Sequence, residues 1–250
     1  MAIIKGKFGH KTDIGLVRPS NEDKAYACID AQSCVLLSVC DGMGGYMKGD
    51  RASKLATDIL QQSFLSKIRF MSTIQIEWWI SKTVKKINTA VYEESQRNEK
   101  VKGMGTTLCF AIFYKNKIFV VNIGDSRCYR VDEEQITQLT RDQTYVEYLV
   151  SVGDISEQEK LTSKDRHALM NFVGKEKNIN YSLNIWPNEK KTILLCSDGL
   201  YNNASNQQIF SGIASKERLD QKINTLIGIA KANGGTDNIA ISVWEPYDHD

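Results

Sequence analysis

The sequence has few of the residues that divide a chain into separate modules. Its 250 residues include only three prolines, and we find no internal repeat and no low-complexity linker. A chain of this length, with 42% hydrophobic residues, can bury a sizeable core in one large domain. We therefore predict a single domain over residues 1–250.

Long apolar runs and an excess of charge of one sign are also missing. The longest apolar runs have the length of strands, so none could span a bilayer, and the N-terminal "MAIIKGKFGH" lacks the core of a signal peptide. The 32 basic residues nearly balance the 30 acidic ones, which gives a formal charge of +2. This balance predicts that the protein binds neither nucleic acid nor an anionic membrane. The lack of a spanning segment and of a signal peptide predicts a cytoplasmic protein.

The six cysteines and three histidines have none of the spacings of common redox or zinc sites. There is no C-x-x-C pair and no H-x-x-x-H pair. Most cysteines lie inside apolar runs, which predicts buried free thiols in a reducing compartment. The sequence therefore supports neither a zinc site nor a Cys-His nucleophile.

The apolar pattern divides the chain into runs of strands and pairs of helices. Strands are predicted over residues 7–15, 25–30, 34–40, 107–114, 117–123, 127–131, 192–196 and 239–244. Small helices are predicted in "VEYLVSVG" and "SEQEKL", and longer ones over residues 206–214 and 218–232. Since strands and helices do not alternate strictly, the pattern favours an α+β fold with antiparallel sheets.

Two helices are predicted between the third and fourth strands. In residues 49–68 the apolar positions recur at helical spacing, and they are Leu55, Ile59, Leu60, Phe64 and Ile68. The second helix has the same spacing at Trp79, Ile80, Val84, Ile87, Val91 and Tyr92. We interpret the pair Trp78-Trp79 as core packing, because no basic groove accompanies it.

Carboxylates recur beside strands, next to glycine or asparagine. Asp41, Asp125 and Asp198 follow apolar runs, Asp237 precedes one, and Glu22-Asp23 lies in "RPSNED". One such aspartate is most often a turn residue, but five such places in one chain are hard to attribute to chance. Carboxylates buried at strand ends are costly unless they are paired or bind a cation. Oxygen ligands of this kind suit Mg²⁺ or Mn²⁺, so the sequence predicts a hard divalent metal site.

The order of these motifs resembles that of the metal-dependent protein phosphatases of type 2C, in their compact bacterial form. The motifs are "DIGLVRPSNEDKAY", "SVCDGMGGYMKGDRAS", "GMGTTLCFAIF", "VVNIGDSRCYRV", "QLTRDQTYVEYLVSVGDISEQE", "LLCSDGL" and "GGTDNIAISV", and the resemblance runs from about Thr12 to Trp244. The resemblance implies a four-layer α-β-β-α sandwich of two antiparallel sheets flanked by helix pairs. It also implies a two-metal site at one end of the sandwich and a flap-like subregion over about residues 143–172.

The resemblance implies metal ligands at particular positions. Asp41 would bridge two Mn²⁺ or Mg²⁺ ions, and the Gly42 carbonyl would be a further ligand. Asp198 and Asp237 would bind the first metal, and Asp125 would belong to a third, weaker site.

The resemblance also implies roles for residues 18–23. Arg18 would bind the phosphate, since its planar fork suits a pair of phosphoryl oxygens. Glu22 and Asp23 are adjacent and point to opposite sides of an extended chain, so only one of them can face the metals. We favour Asp23 for that position.

The implied activity is the hydrolysis of phosphoserine and phosphothreonine in proteins, with a metal-bridging water as the nucleophile and no phospho-enzyme. The implied substrates are phosphorylated proteins, including a cognate serine/threonine kinase, and we expect a monomer. Two alternatives stay open, namely a catalytically silent binding or scaffold module and a phosphomonoesterase for small molecules.

The chain departs from the family pattern at two places. Many eukaryotic relatives carry histidine at the position of Met43, where it resembles a general acid, and a thioether cannot donate a proton. We therefore expect water to protonate the leaving group. In the flap-like region, Ser163-Lys164 and Asn171 stand where bacterial relatives often show a His-Pro pair and an arginine, so substrate recognition is expected to differ there.

Overall fold

The computed structural model describes residues 5–44, 48–97, 99 and 101–247. The strands are β1 (Gly6–Asp13), β2 (Lys24–Ile29), β3 (Val35–Cys40), β4 (Gly42–Met43), β5 (Gly105–Thr106), β6 (Leu108–Tyr114), β7 (Lys117–Ile123), β8 (Arg127–Val131), β9 (Ile136–Gln138), β10 (Ser182–Pro187), β11 (Thr192–Cys196) and β12 (Ile239–Pro246). The helices are α1 (Lys48–Leu65), α2 (Thr73–Gln96), α3 (Tyr145–Val152), α4 (Glu157–Thr162), α5 (Asp198–Tyr201), α6 (Asn206–Ala214) and α7 (Leu219–Ala232). Among the described residues, no helix is long and apolar enough to cross a membrane.

Two five-stranded antiparallel sheets form the centre of the molecule. The first has the order β1-β12-β11-β8-β9 and the second has the order β10-β7-β6-β3-β2. The short strands β4 and β5 pair separately and connect the acidic end of β3 to the start of β6.

Three apolar clusters show that the elements pack in four layers. One cluster joins α1 and α2 to the second sheet, through residues such as Phe64, Ile80 and Phe110. Another lies between the two sheets and includes Val39 and Trp244. The third joins the first sheet to α6 and α7 and includes Leu194, Ile209, Ile223 and Leu226. The α-β-β-α sandwich predicted for this chain is therefore confirmed.

The cysteines are buried free thiols, apart from Cys28, which is half-buried. Cys40 and Cys196 lie at the ends of β3 and β11, and burial raises the pKa of each thiol to about 12. Such thiols stay protonated and behave as small apolar residues, as the sequence predicts.

Two residues that we expected in the core lie at the surface instead. Helix α1 ends at Leu65, and Ile68 is 90% exposed because Lys67 takes the inward position and pairs with Asp30. Trp79 is buried, whereas its neighbour Trp78 is 64% exposed. Consecutive residues on an α-helix point about 100° apart, so only one of the two tryptophans can face the core.

Strands β9 and β10 have no counterpart among the strands predicted from the sequence. Strand β10 is an edge strand that pairs with β7, and none of its side chains is fully buried. An edge strand of this kind carries no strong apolar alternation, so its sequence resembles that of a polar loop.

Candidate active site

The predicted acidic residues meet at one end of the sandwich. Asp41 follows β3, Asp125 follows β7, Asp198 follows β11, and Asp237 precedes β12. These four residues line one cavity of about 880 Å³, together with Arg18, Gly42 and Met43. The structure thus brings together every site residue predicted from the sequence except Asp23, which does not line the cavity.

The backbone of Asp41 is held by two threonines that precede β6. Thr107 Oγ1 accepts a hydrogen bond from Asp41 N at 2.9 Å, and the Asp41 carbonyl accepts bonds from Thr107 N and Thr106 Oγ1, each at 2.9 Å. The Thr107 hydroxyl also shares a hydrogen bond with Ser126 Oγ at 2.7 Å. These threonines were not singled out from the sequence, although "GTT" directly before an apolar strand was the available signal.

Glycine is required directly after Asp41. A Cβ on Gly42 would overlap the carbonyl oxygens of Gly49 and Glu22, so the start of α1 and the Glu22 loop pack against bare backbone. Gly44 has a φ of +127°, a backbone conformation that favours glycine, and Gly45 lies outside the described residues. Helix α1 begins at Lys48, close to its predicted start.

Glu22 and Asp23 point to different sides, as the extended chain predicts, but the pocket-facing member is Glu22. Glu22 lines the cavity, whereas Asp23 is only 2% exposed and accepts a hydrogen bond from Ser197 Oγ at 2.6 Å. The Ser197 hydroxyl accepts in turn from Ala240 N at 2.8 Å. Asp23 therefore supports the junction between β11 and β12, and the geometry favours the opposite of our preference for Asp23.

Asn238 fixes the loop that carries Arg18 and Glu22. Its Nδ2 donates to the carbonyls of Ile14 and Ser20, each at 2.9 Å, and its Oδ1 accepts from Glu22 N at 2.8 Å. A single buried amide thus holds 14–22 against the start of β12. The "TDN" sequence was read only for its aspartate, so this positioning residue was missed.

Arg18 and Asp237 are paired with each other across the cavity. Arg18 Nη2 donates to Asp237 Oδ2 at 2.7 Å, and the other oxygen of Asp237 accepts from Asn238 N at 2.8 Å. More than half of the Arg18 side chain is exposed. Its guanidinium has five N–H groups, so further donors remain to meet an anion in the cavity.

Asp198 lies at the start of α5, with its two oxygens in different environments. Oδ2 accepts a hydrogen bond from Asn202 Nδ2 at 3.0 Å and lies 3.9 Å from His167 Nδ1. Oδ1 is buried and has no hydrogen-bond partner among the described residues. A buried carboxylate oxygen without a partner is an expensive arrangement that a bound cation would relieve.

Burial and mutual repulsion raise the pKa of four carboxyl groups in this region. Desolvation is the largest cause in each, followed for Asp198 by the charge of Asp237. The pKa of Asp198 is raised to about 6, that of Asp23 to about 7 and that of Asp125 to about 8, and that of Asp41 is raised well above its ordinary value. The protein thus concentrates more negative charge here than its own cations neutralise.

The donor set fits hard divalent cations, although its side chains are engaged with one another. Among the described residues, no three ligand-type side chains already stand around one common point. Asp237 is turned to Arg18, and Asp198 Oδ2 is turned to Asn202. The buried oxygen of Asp198 and the raised pKa values indicate that a cation would be stabilised, so the residues fit a metal site after side-chain rotation.

The cavity rim is formed by the segment between α4 and β10. Arg166, His167, Leu169 and Phe172 line the cavity, whereas Ser163 and Lys164 do not. Arg166 Nε donates to His167 Nε2 at 2.8 Å. The scattered histidines gave no signal in the sequence, and His167 reaches the site only because this segment folds over the strand ends.

Asn171, in the same segment, supports the Asp125 turn. Its Nδ2 donates to Gln143 Oε1 at 2.7 Å and to the Asn180 carbonyl at 2.8 Å. Gln143 Oε1 accepts in addition from Gly124 N at 3.1 Å, directly before Asp125. Asn171 therefore acts on the site through the backbone and does not enter the cavity.

Comparison with known proteins gives consistent matches along almost the whole chain. Residues 18–238 match the family described as protein phosphatase 2C. The serine/threonine phosphatase Stp of Listeria monocytogenes is 31% identical over 236 residues, which cover 94% of this chain and 94% of the relative.

Solved structures match as well. The serine/threonine phosphatase Stp1 from Staphylococcus aureus superposes with a TM-score of 0.92 at 29% identity and covers 99% of this chain and 98% of its own. The catalytic domain of the serine threonine protein phosphatase PstP, solved in complex with two manganese ions, gives a TM-score of 0.82 at 29% identity, with 96% and 97% coverage. Each of the four cavity aspartates falls inside the matched region.

Proposed function

The chain belongs to the protein phosphatase 2C family, and we propose that it hydrolyses phosphoserine and phosphothreonine in proteins with two divalent cations, Mn²⁺ or Mg²⁺. The observation that carries this proposal is the convergence of Asp41, Asp125, Asp198 and Asp237 on one cavity beside Arg18. An acidic cluster beside an arginine suits a phosphate dianion only when cations neutralise the cluster, because bare carboxylates would repel it.

The proposed ligands of the two cations are Asp41, Asp198 and Asp237, with the carbonyl of Gly42. Asp125 is proposed for a third, weaker site. From the geometry we add Glu22, which lines the cavity, and we assign Asp23 a supporting role through Ser197. When bound, the two cations would lower the pKa of a water molecule, so that hydroxide is available to attack phosphorus near neutral pH, and they would provide positive charge for the phosphoryl oxygens.

Arg18 is proposed to bind and orient the phosphate. One of its N–H groups is engaged by Asp237, and the rest of its planar fork remains for two phosphoryl oxygens. The hydrogen bonds of Asn238 hold the backbone of the loop that carries Arg18, and Asp237 orients the guanidinium itself, so less conformational entropy is lost when substrate binds.

Among the described residues at the rim, no side chain is well suited to protonate the leaving oxygen. Met43 lines the cavity and has no proton to give. Burial, together with the charge of Arg166, lowers the pKa of His167, so its ring is neutral at pH 7. Nε2 of that ring accepts from Arg166, which leaves its proton on Nδ1, on the side of Asp198. We therefore propose that water supplies the proton to the serine or threonine alkoxide.

The test is phosphate release from a phosphothreonine peptide, measured with Mn²⁺ and with excess chelator. We expect turnover only with the metal, and loss of at least a hundredfold in kcat in Asp198→Asn. Asp154→Asn, on an exposed loop, is the matched control and should keep wild-type activity. No metal-dependent turnover on any phosphoester would indicate a binding or scaffold module, and turnover of small phosphometabolites without turnover of the peptide would indicate a small-molecule phosphomonoesterase.

Four further features stay predictions from the sequence. They are the single domain over residues 1–250, the cognate serine/threonine kinase among the substrates, the monomeric state and the cytoplasmic location. Limited proteolysis would test the single domain, and sedimentation velocity would test the monomeric state.

A further inference from the structure

The end of the α1–α2 hairpin exposes a group of large apolar side chains. They are Leu65, Ile68, Met71, Ile74 and Trp78, which we call the hairpin-end surface, and each is more than half exposed. Ile68 and Ile74 are 90% and 75% exposed. Single exposed apolar residues are ordinary, but several within 14 consecutive positions indicate an interaction site.

The loop that carries this surface is anchored to the body of the protein. Phe70 is buried between Trp79 and Tyr114, with ring centroids 5.8 and 6.3 Å away, and its carbonyl accepts a hydrogen bond from Tyr114 Oη. Lys67 is buried as well and pairs with Asp30. Because the side chains of Lys67 and Phe70 point inward, those of Ile68, which lies between them, and Met71, which follows Phe70, point outward. The apolar exposure therefore belongs to an ordered loop.

The charge beside the hairpin-end surface is basic, in contrast to the near-neutral chain. Between residues 65 and 86 the only acidic residue is Glu77, and the basic residues besides Lys67, whose charge is paired with that of Asp30, are Arg69, Lys82, Lys85 and Lys86. Lys82, Lys85 and Lys86 are exposed, and Lys82 lies over the ring of Trp78 at 5.0 Å from its centroid. Ile74, Trp78 and Lys82 follow one another at intervals of four residues, so they share one exposed face of α2.

We propose that the hairpin-end surface docks the protein reversibly on an anionic lipid bilayer. An exposed tryptophan and aliphatic side chains next to lysines is the composition of an interfacial membrane-binding helix, in which apolar groups enter the acyl boundary and lysines meet anionic headgroups. The +2 charge of the whole chain is an average and does not describe this surface, because the acidic residues are concentrated elsewhere, including the active site.

The position of this surface keeps the active site accessible during docking. Helix α1 starts beside Gly42 and ends at Leu65, and its 18 residues extend about 27 Å at 1.5 Å per residue. The cavity and the docking surface therefore lie at opposite ends of α1. A docked molecule would present its cavity away from the lipid, toward phosphorylated segments that stand clear of the bilayer.

The experiment is co-sedimentation of the full chain with vesicles of phosphatidylcholine, with and without phosphatidylglycerol. We expect binding to the anionic vesicles that weakens as salt is added. Ile68→Ser and Trp78→Ser should each reduce the partition coefficient roughly tenfold or more, since each removes a large apolar group from the lipid. Lys82→Glu combined with Lys85→Glu should abolish the preference for anionic vesicles.

Two controls are matched to these variants. Leu161→Ser removes an aliphatic side chain that is 71% exposed on α4, and Lys216→Glu reverses an exposed lysine before α7. Both should bind vesicles like the wild type. Hydrolysis of para-nitrophenyl phosphate should be unchanged in Ile68→Ser and Trp78→Ser, which would separate the loss of docking from a loss of fold or activity.

The proposal is overturned if the wild type does not sediment with anionic vesicles, or if Ile68→Ser and Trp78→Ser bind as strongly as the wild type. Sedimentation velocity without lipid tests the competing occupant, a second copy of the chain. A concentration-dependent dimer that Trp78→Ser dissociates, without vesicle binding by the wild type, would assign the surface to self-association instead.

Discussion

Replacing Asp198 with asparagine is expected to stabilise the protein in chelator while it removes activity. Oδ1 of Asp198 is buried without a hydrogen-bond partner among the described residues, and the charge of the neighbouring Asp237 opposes its ionisation. An amide has no charge to desolvate, it can still accept from Asn202 through one atom, and it can donate to the Asp41 carboxyl through the other. The variant thus relieves repulsion that the fold otherwise has to tolerate.

The size and pH dependence of this effect follow from the pKa of Asp198. Burial raises that pKa from 3.8 to about 6, so ionised Asp198 costs on the order of 2 to 3 kcal/mol of folding free energy above pH 6. Because the folded-state pKa lies above the unfolded one, wild-type stability falls as pH rises between these two values. In chelator, the free energy of unfolding of Asp198→Asn should therefore exceed that of the wild type by the full amount at pH 7, and this difference should disappear as pH falls toward 4.

The assay is urea unfolding of both proteins at pH 7 and pH 4, in chelator and in excess Mn²⁺. At a metal concentration a hundred times Kd the wild type should gain about 2.7 kcal/mol, and the variant should gain much less, so the order of stability reverses between the two buffers. Asp154→Asn should follow the wild type in every buffer. If Asp198→Asn is less stable than the wild type in chelator at pH 7, the account of repulsion at this site is wrong.

Three other substitutions test the site by different routes. Met43→Ala should keep kcat within a few-fold on a phosphothreonine peptide, since Met43 donates no proton, and a loss of several orders of magnitude in a folded variant would contradict this. His167→Gln should reduce turnover of the peptide and of para-nitrophenyl phosphate by the same small factor. The peptide has the poorer leaving group and depends more on a proton donor, so a loss confined to the peptide would identify His167 as that donor. Thr107→Val should cost about 1 to 3 kcal/mol in urea unfolding and lower kcat, because it leaves Asp41 N without its partner, while Ser38→Ala removes a buried hydroxyl that has no partner among the described residues and should cost less.

The acidic residues at strand ends were readable from the sequence because apolar runs mark the strands and their ends. Strands β7, β8 and β11 have the predicted bounds, and an aspartate follows β7 and β11 within two residues. In an antiparallel sheet neighbouring strands end at opposite edges, so the local pattern located the strand ends and the strand order decided which of them meet. Strands β3 and β7 flank β6 and are both antiparallel to it, so they end at the same edge. The pattern could not decide which of Glu22 and Asp23 faces the cavity, because that depends on Ser197, which lies 174 positions away.

The groups that hold the site were less visible, since their partners are distant in sequence and they carry no unusual composition. Asn238 holds the loop from Ile14 to Glu22, and Thr107 holds Asp41 across 66 positions. His167 enters the cavity on a segment whose sequence reads as a polar loop. Similarly, helical spacing suggested that Ile68 is buried, but Lys67 ends that pattern by pairing with Asp30.

The placement of the cavity carboxylates indicates how one chain can keep both a stable fold and a strained site. Burial raises the pKa values of the carboxyl groups of Asp41, Asp125 and Asp198, and the charge of Asp198 raises those of Asp41 and Asp125 further, which means that their ionised forms oppose folding. Each of them stands just beyond a strand whose residues are almost all buried, so the cost is carried by the apolar layers on both sides of the sheets. Hydrogen bonds fix the backbone at Asp41, while burial and the neighbouring charges oppose ionisation of its carboxyl group, so the position of the charge is determined while its energy stays high. A cation that binds at this end of the sandwich would therefore relieve the repulsion between the carboxylates. The side chains would rotate toward it, and the backbone that carries them would not need to rearrange.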